Sequence, residues 1–256
     1  MQARPPTEIA FVLQEARDKV IARIQHAAST RADFTGLASP QLLAVSKTFP
    51  AESVLALAQS GQRDFGENYV QEAVEKLIAC RQANPALDLC WHFIGPLQSN
   101  KTRLVAEHFD WVHSVDRLKI AQRLNEQRPP ELHPLQICIQ VNISKESTKS
   151  GIQADEVPEL ALALIKLKGL KLRGLMAIPQ ANDDPSAQTS AFAALRECLL
   201  AANRVLGPDD QMDHLSMGMS ADLELAVAQG ASWLRVGTAI FGRRVVQSTT
   251  DADSTN

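Results

Sequence analysis

The sequence predicts an α/β fold, a single (β/α)8 TIM barrel, and three observations carry the prediction. Eight short apolar runs recur along the chain. Segments with apolar spacing of about 3.6 residues lie between them. The length, 256 residues, accommodates one such barrel without remainder. Strand and helix alternate from start to finish, and a parallel sheet needs that alternation, because each parallel pair must be joined by a crossover.

The order opens with a helix from Thr7 to Ala28, where Ile9, Val12, Leu13, Ala16, Val20 and Ile24 form an apolar stripe that covers part of the barrel. The first strand runs from Leu42 to Lys47. It stays apolar until Ser46, and Pro50 marks where it has stopped. Asp64 to Glu67, Leu89 to Gly95, Trp111 to Val115 and Leu135 to Ile143 follow as strands two to five. Leu172 to Ile178, His214 to Met217 and Trp233 to Phe241 complete the eight. Helical periodicity marks Glu52 to Ser60, Val70 to Arg81, Arg117 to Gln127, Val157 to Leu167, Pro185 to Leu206 and Ala221 to Gln229. Residues 1–246 read as one domain, and the polar tail from Gln247 to Asn256 is expected to be disordered. Gln180 to Ser186, rich in Asn, Asp and Pro, reads as an exposed loop.

Composition excludes several classes. Lys plus Arg of 26 against Asp plus Glu of 29 gives a net charge of −3, so no global field draws the protein to nucleic acid or an anionic membrane. Charges are spread through the first twenty residues, and no apolar run approaches a membrane span, so a cytoplasmic protein is expected. Cys80, Cys90, Cys138 and Cys198 are far apart with no CxxC spacing, which predicts reduced core thiols rather than a zinc site or redox pair.

A barrel carries its chemistry at the C-terminal ends of its strands. Lys47 falls there, after a dry wall. A lysine amine is nucleophilic only when deprotonated, and desolvation beside other cations brings that state toward neutral pH, which opens Schiff-base chemistry. The plainer reading is a lysine snorkelling into solvent. His214 to Gly242 places a strand, a glycine turn, a helix and a last strand where barrels commonly bind phosphate. Gly218 permits close backbone approach, Ser220 can cap the helix or meet phosphate, and Gly237 and Thr238 offer N–H groups; ordinary turn glycines are the alternative. Asp222, in the first turn of that helix, would repel a dianion and is expected to point outward. Arg235 shares a strand face with Gly237, where a guanidinium can meet a ring nitrogen and keep it unprotonated; a structural ion pair is the alternative.

Other strand ends are polar too. Glu67 and Asn68, His92, Gly95 and Gln98, His113, Ser114 and Asp116, and Asn142 and Ser144 fall there, with Met176 as an apolar wall. His92 and His113 are expected to be satisfied core or rim histidines, since neither has a metal-ligating partner at suitable spacing. Lys101, Lys145 and Lys149 read as solvated loop residues that can form a basic rim. No P-loop, GxGxxG, GxSxG or HExxH occurs.

Seven blocks, AVSKTFP, FGENYVQEA, WHFIGPLQSNK, HSVDR, VNISKESTKSG, RGLMAIP and LSMGMSADLELAVAQGASWLRVGTAIFG, together resemble the pyridoxal phosphate homeostasis protein family from about Leu42 to Phe241. The resemblance implies a fold type III barrel like the N-terminal domain of alanine racemase, with pyridoxal 5′-phosphate held on Lys47 as a Schiff base. It implies a cofactor set of Lys47, Asn68, Met176, Ser216, Gly218, Ser220, Arg235, Gly237 and Thr238, with Arg235 facing the pyridine nitrogen and Ser220, Gly237 and Thr238 holding phosphate. No catalytic residue and no metal is expected. Phe49 departs from the pattern, since a basic or polar residue often follows the lysine motif in relatives.

Alanine racemase resembles the chain only in the barrel. Its second domain and cross-subunit tyrosine have no counterpart, and the only tyrosine is Tyr69. A carrier that keeps and protects the cofactor and passes it to pyridoxal-phosphate-dependent apoenzymes is therefore expected, rather than an enzyme, and the family resemblance implies a monomer. Two alternatives remain open: a weak amino-acid racemase, lyase or transaminase served by His92 or His113, and an aldolase barrel using Lys47 without a cofactor.

Overall fold

The computed structural model describes residues 6–144, 150–180 and 184–242. The expected tail, Lys145, Lys149 and part of the Gln180 to Ser186 loop lie outside the described residues.

Eight strands, β1 (Gln41–Val45), β2 (Asp64–Glu67), β3 (Cys90–Phe93), β4 (Trp111–Val115), β5 (Leu135–Gln140), β6 (Leu170–Met176), β7 (His214–Ser216) and β8 (Trp233–Val236), close into a barrel in chain order. Every pairing is parallel, including the closing one, in which Gln41 to Ala44 of β1 lie opposite Trp233 to Val236 of β8. The α1 helix (Pro6–Thr30) precedes the barrel. Then α2 (Ala51–Gln59), α3 (Val70–Ala83), α4 (Thr102–His108), α5 (Leu118–Gln127), α6 (Val157–Leu164), α7 (Pro185–Asn203) and α8 (Leu223–Ala228) link successive strands, and α9 (Thr238–Phe241) follows the last. No helix among the described residues is long and apolar enough to cross a membrane.

Period-2 alternation divides each strand between two cores. On β1, Leu42 and Ala44 face the helices while Leu43 faces the barrel interior. The outer core joins residues such as Val54, Leu57, Phe65, Leu77, Trp91, Ile120 and Phe192, each fully or almost fully buried. At about 1.5–3 kcal/mol for each large apolar side chain removed from water, this layer fixes the helices on the sheet. The inner core holds Leu43, Trp111, Cys138, Met176 and Trp233, so the barrel is filled rather than open.

Several boundaries differ from the sequence reading. β1 ends at Val45, two residues before Lys47, and β3 and β5 end at Phe93 and Gln140. The run from Trp233 to Phe241 is not one strand: β8 stops at Val236, Gly237 precedes α9, and the last four residues are helical. Asp222 is not in the first turn of its helix but at the position before it, because α8 begins at Leu223. Finally, α4 fills a connection for which periodicity marked no helix.

Candidate cofactor site at the barrel mouth

The segment carrying Lys47 is a braced turn. Ser46 N–H donates to the Gly66 carbonyl at 3.0 Å, which continues the β1–β2 ladder, and Phe49 N–H donates back to the Ser46 carbonyl at 3.0 Å, which closes the turn around Lys47 and Thr48. Thr48 sits at φ 68°, the left-handed region that a β-branched residue seldom adopts. Its N–H donates to Glu72 Oε1 at 2.6 Å.

Beneath the turn, Lys76 of α3 is 5% exposed. Its ammonium donates to the Ser46 carbonyl at 2.9 Å, Glu67 Oε1 at 2.7 Å and Glu72 Oε1 at 3.0 Å. Those three acceptors match its three protons. Ser46 Oγ donates to Glu67 Oε1 at 2.6 Å. Burial raises the Glu67 carboxyl above its ordinary pKa, while Lys76 and the Ser46 hydroxyl oppose the shift. Lys47 is half-buried at the end of β1, as the sequence indicated, but in a turn strapped to β2 and α3. The Glu72 and Lys76 braces were missed. Their i,i+4 spacing reads as a solvated surface pair, and only the fold shows that Lys76 points inward.

Across the mouth, Asn68, Ile94, Pro96, Gln140, Val141, Asn142, Ser150 and Ile178 line a cavity of about 310 Å³. Asn68 Oδ1 is buried there and has no hydrogen-bond partner among the described residues. Met176 ends β6, buried against the inner core.

The β7 and β8 ends bring the remaining candidates together. Ser216 ends β7 and Arg235 lies in β8, both buried. Arg235 donates through Nη1 to Ser216 Oγ at 2.8 Å and through Nη2 to the Ala177 carbonyl at 2.9 Å. Burial lowers its guanidinium to about 10, with Asp222 and Cys138 opposing. Among the described residues it forms no salt bridge, so the ion-pair alternative does not describe it. Gly218 has φ 89°, and a Cβ there would lie 2.5 Å from Ala226 Cβ, so this turn admits glycine alone. Asp222 turns back to accept from Met219 N–H at 2.6 Å and Gln188 Nε2 at 2.9 Å. Ser220 is half-buried in the turn before α8. A Cβ on Gly237 would lie 3.2 Å from the Val45 carbonyl, so the start of α9 abuts the strand end that leads to Lys47. Thr238 is exposed in the first turn of α9, where N–H groups have no intrahelical acceptor. The expected shared strand face of Arg235 and Gly237 does not exist, since Gly237 lies beyond β8.

His92 and His113 are both buried inside the barrel. The absence of partners at sequence spacing does not carry over to space. Asp64, Cys90 and His92 bring an oxygen, a sulfur and a nitrogen within 4.8 Å of one another. Their 3.2 Å and 3.3 Å contacts have the lengths of hydrogen bonds. Burial and nearby carboxylates push the Cys90 thiol far up, so it remains a thiol.

Residues 21–245 match the family described as alanine racemase, N-terminal domain. A protein from Pseudomonas aeruginosa named pyridoxal phosphate homeostasis protein is 57% identical over 88% of this chain and 93% of its own length. One of the same name from Escherichia coli K12 is 49% identical over 93% of this chain and 97% of its own. Among solved structures, PipY of Synechococcus elongatus, described with pyridoxal phosphate bound, superposes with a TM-score of 0.75 at 34% identity, over 90% of this chain and all of that one. Alanine racemase from Corynebacterium glutamicum superposes at 0.65 with 15% identity, over 93% of this chain and 62% of that one, a likeness of fold alone.

Proposed function

We propose a function from one premise: the chain belongs to the pyridoxal phosphate homeostasis protein family, whose barrel is that of the alanine racemase N-terminal domain. It binds pyridoxal 5′-phosphate at the barrel mouth and serves intracellular homeostasis of that cofactor, storing and shielding it and passing it to apoenzymes. In this reading residues 1–246 act as one cofactor-binding domain, in a monomer, in the cytoplasm.

The observation that carries the reading is the closure of the barrel between β1 and β8. Ala44 lies opposite Val236, so the turn with Lys47 and the start of α9 with Gly237 and Thr238 emerge side by side. Pyridoxal phosphate supplies an aldehyde that condenses with a lysine amine and an anionic group that seeks N–H donors. Lys47 would hold the aldehyde end. Gly237, Thr238, Ser220 and the tight turn at Gly218 would hold the phosphate. Arg235 would donate to the ring nitrogen, which as an acceptor stays unprotonated. Asn68 Oδ1, buried and unpartnered, fits a ring hydroxyl that donates to it. Met176 would wall the ring.

A carrier is favoured over a racemase because inversion needs an acid and a base on opposite ring faces. Tyr69 is 52% exposed, and His92 and His113 are engaged with each other inside the barrel. The test is the visible spectrum of the purified protein before and after borohydride, with the modified peptide identified by mass. A yellow protein labelled at Lys47, colourless as Lys47→Ala and without amino-acid turnover, is expected. Amino-acid turnover that depends on Lys47 would favour the enzyme, and a colourless wild type that takes up no pyridoxal phosphate would refute the reading.

A further inference from the structure

We propose that Asp64, His92, His113 and Ser216 form a one-way hydrogen-bonded chain through the barrel interior that orients Arg235 toward the place proposed for the cofactor's ring nitrogen. The proposal rests on the reading above for the ring, but the chain is a property of the protein alone.

The contacts are continuous. Arg235 Nη1 donates to Ser216 Oγ at 2.8 Å. Ser216 Oγ lies 2.7 Å from His113 Nδ1. His113 Nε2 lies 3.0 Å from His92 Nδ1, and His92 Nε2 lies 3.2 Å from Asp64 Oδ1. Five strands supply the members: β2, β3, β4, β7 and β8. His92 and His113 are 0% exposed, with His92 stacked on Trp111 at 5.5 Å and edge-on to Trp233 at 4.7 Å.

The two ends fix the direction. A guanidinium only donates and a carboxylate only accepts. His92 must then carry its proton on Nε2 to reach Asp64, which leaves Nδ1 to accept from His113 Nε2–H. His113 Nδ1 accepts in turn from the Ser216 O–H, and a lone pair of the same oxygen receives Arg235. Reversing the chain would set the His92 Nε2 lone pair against the Asp64 carboxylate, and would leave the Ser216 proton without its acceptor. Burial keeps both rings neutral, as the chain requires: the ordinary imidazole value is lowered at His113 by desolvation and by His92, Arg235 and His214, and at His92 by desolvation against the opposing pull of Asp64 and Asp110.

Every donor points from Arg235 toward Asp64, so the acceptor ends of the dipoles face the guanidinium. Such chains polarise one another. Arg235 has no carboxylate within salt-bridge distance among the described residues. Through the acceptor ends of neutral groups the chain adds to the negative potential that Asp222 supplies at longer range to the buried guanidinium. These are positioning residues, since only Arg235 would meet the cofactor.

The test begins on ligand-free protein with histidine-labelled nitrogen NMR. Both His92 and His113 are expected as Nε2-protonated neutral rings. Asp64→Ala removes the fixed acceptor and should alter the nitrogen shifts of His113, two links away, and Asp64→Asn should restore them, since an amide oxygen also accepts. A His113 proton on Nδ1, or His113 shifts unmoved by Asp64→Ala, would overturn the chain whether or not the protein binds pyridoxal phosphate. On protein loaded with pyridoxal phosphate, the absorption maximum should move in Asp64→Ala and return in Asp64→Asn, and Ser216→Ala should weaken binding roughly tenfold or more. An unmoved spectrum in Asp64→Ala would overturn the link to the cofactor. Failure of wild type to bind pyridoxal phosphate would refute the functional reading and leave the NMR result standing.

Discussion

The Lys76 ammonium lies 2.7 Å from Glu67 Oε1, and the two side chains are 4% and 0% exposed. A buried pair of this kind does little for net stability while intact, but removing one partner leaves the other charge uncompensated. Lys76→Met is therefore expected to destabilise the protein by about 3–5 kcal/mol in urea unfolding. Because the same ammonium holds the Ser46 carbonyl, the variant should also lose borohydride labelling at Lys47 under conditions where it is still folded.

Glu67 gives that brace a pH dependence. Its carboxyl is raised in the folded state, so the native protein binds more protons than the unfolded chain between the ordinary value of about 4.3 and the raised value. Stability from this group is present below the unfolded value and is lost as pH rises through the folded one. Unfolding free energies of wild type and Glu67→Gln across that range should diverge in favour of Gln with rising pH, then run parallel. A constant difference would show that Glu67 is not raised.

Gly218 and Gly237 should respond differently to alanine. At Gly218 a Cβ meets Ala226 Cβ at 2.5 Å with φ at 89°, combining left-handed strain of about 1–2 kcal/mol with overpacking of about 1–3 kcal/mol. Gly218→Ala should therefore melt several degrees low. At Gly237 φ is −113°, and the added methyl meets Val45, its carbonyl at 3.2 Å and its Cβ at 3.4 Å. Gly237→Ala should melt close to wild type yet bind pyridoxal phosphate roughly tenfold more weakly, because making room for the methyl against Val45 shifts the N–H groups proposed to hold the phosphate. Equal affinity would remove Gly237 from the site.

What the sequence revealed depended on whether the signal was local. Eight apolar runs and Lys47 just past the first strand are local patterns, and each of the eight runs contains a strand, the last one giving way to α9. Where β8 gives way to α9 is not legible, because Leu234, Val236, Ile240 and Phe241 are buried alike whether strand or helix carries them. The seven residues of α4 are too few to display a period. Asn68 and Arg235 were legible as polar residues on or at the ends of strands, and the resemblance added their place in the cofactor set, whereas Lys76, Asp64 and the roles of His92 and His113 were invisible. Lys76 is recognised only once its helix face is known. His113 and Ser216 stand 103 residues apart in sequence, and only closure of the barrel brings them into contact.

Phe49 stacks on Phe241 of α9 with ring centroids 5.0 Å apart and planes at 27°. The stack ties the turn holding Lys47 to the helix that begins at Gly237 and Thr238, so one contact joins both ends of the proposed cofactor site. An aromatic pair contributes about 0.5–1.5 kcal/mol beyond the area it buries. Phe49→Ala should therefore lower stability by roughly that amount plus the lost burial, and should speed release of pyridoxal phosphate as the two anchors drift apart. Phe49→Leu keeps apolar contact without the stack and should fall between. If Phe49→Ala releases the cofactor at the wild-type rate, α9 is held by Ile240 and the outer core alone, and the stack has no bearing on the site.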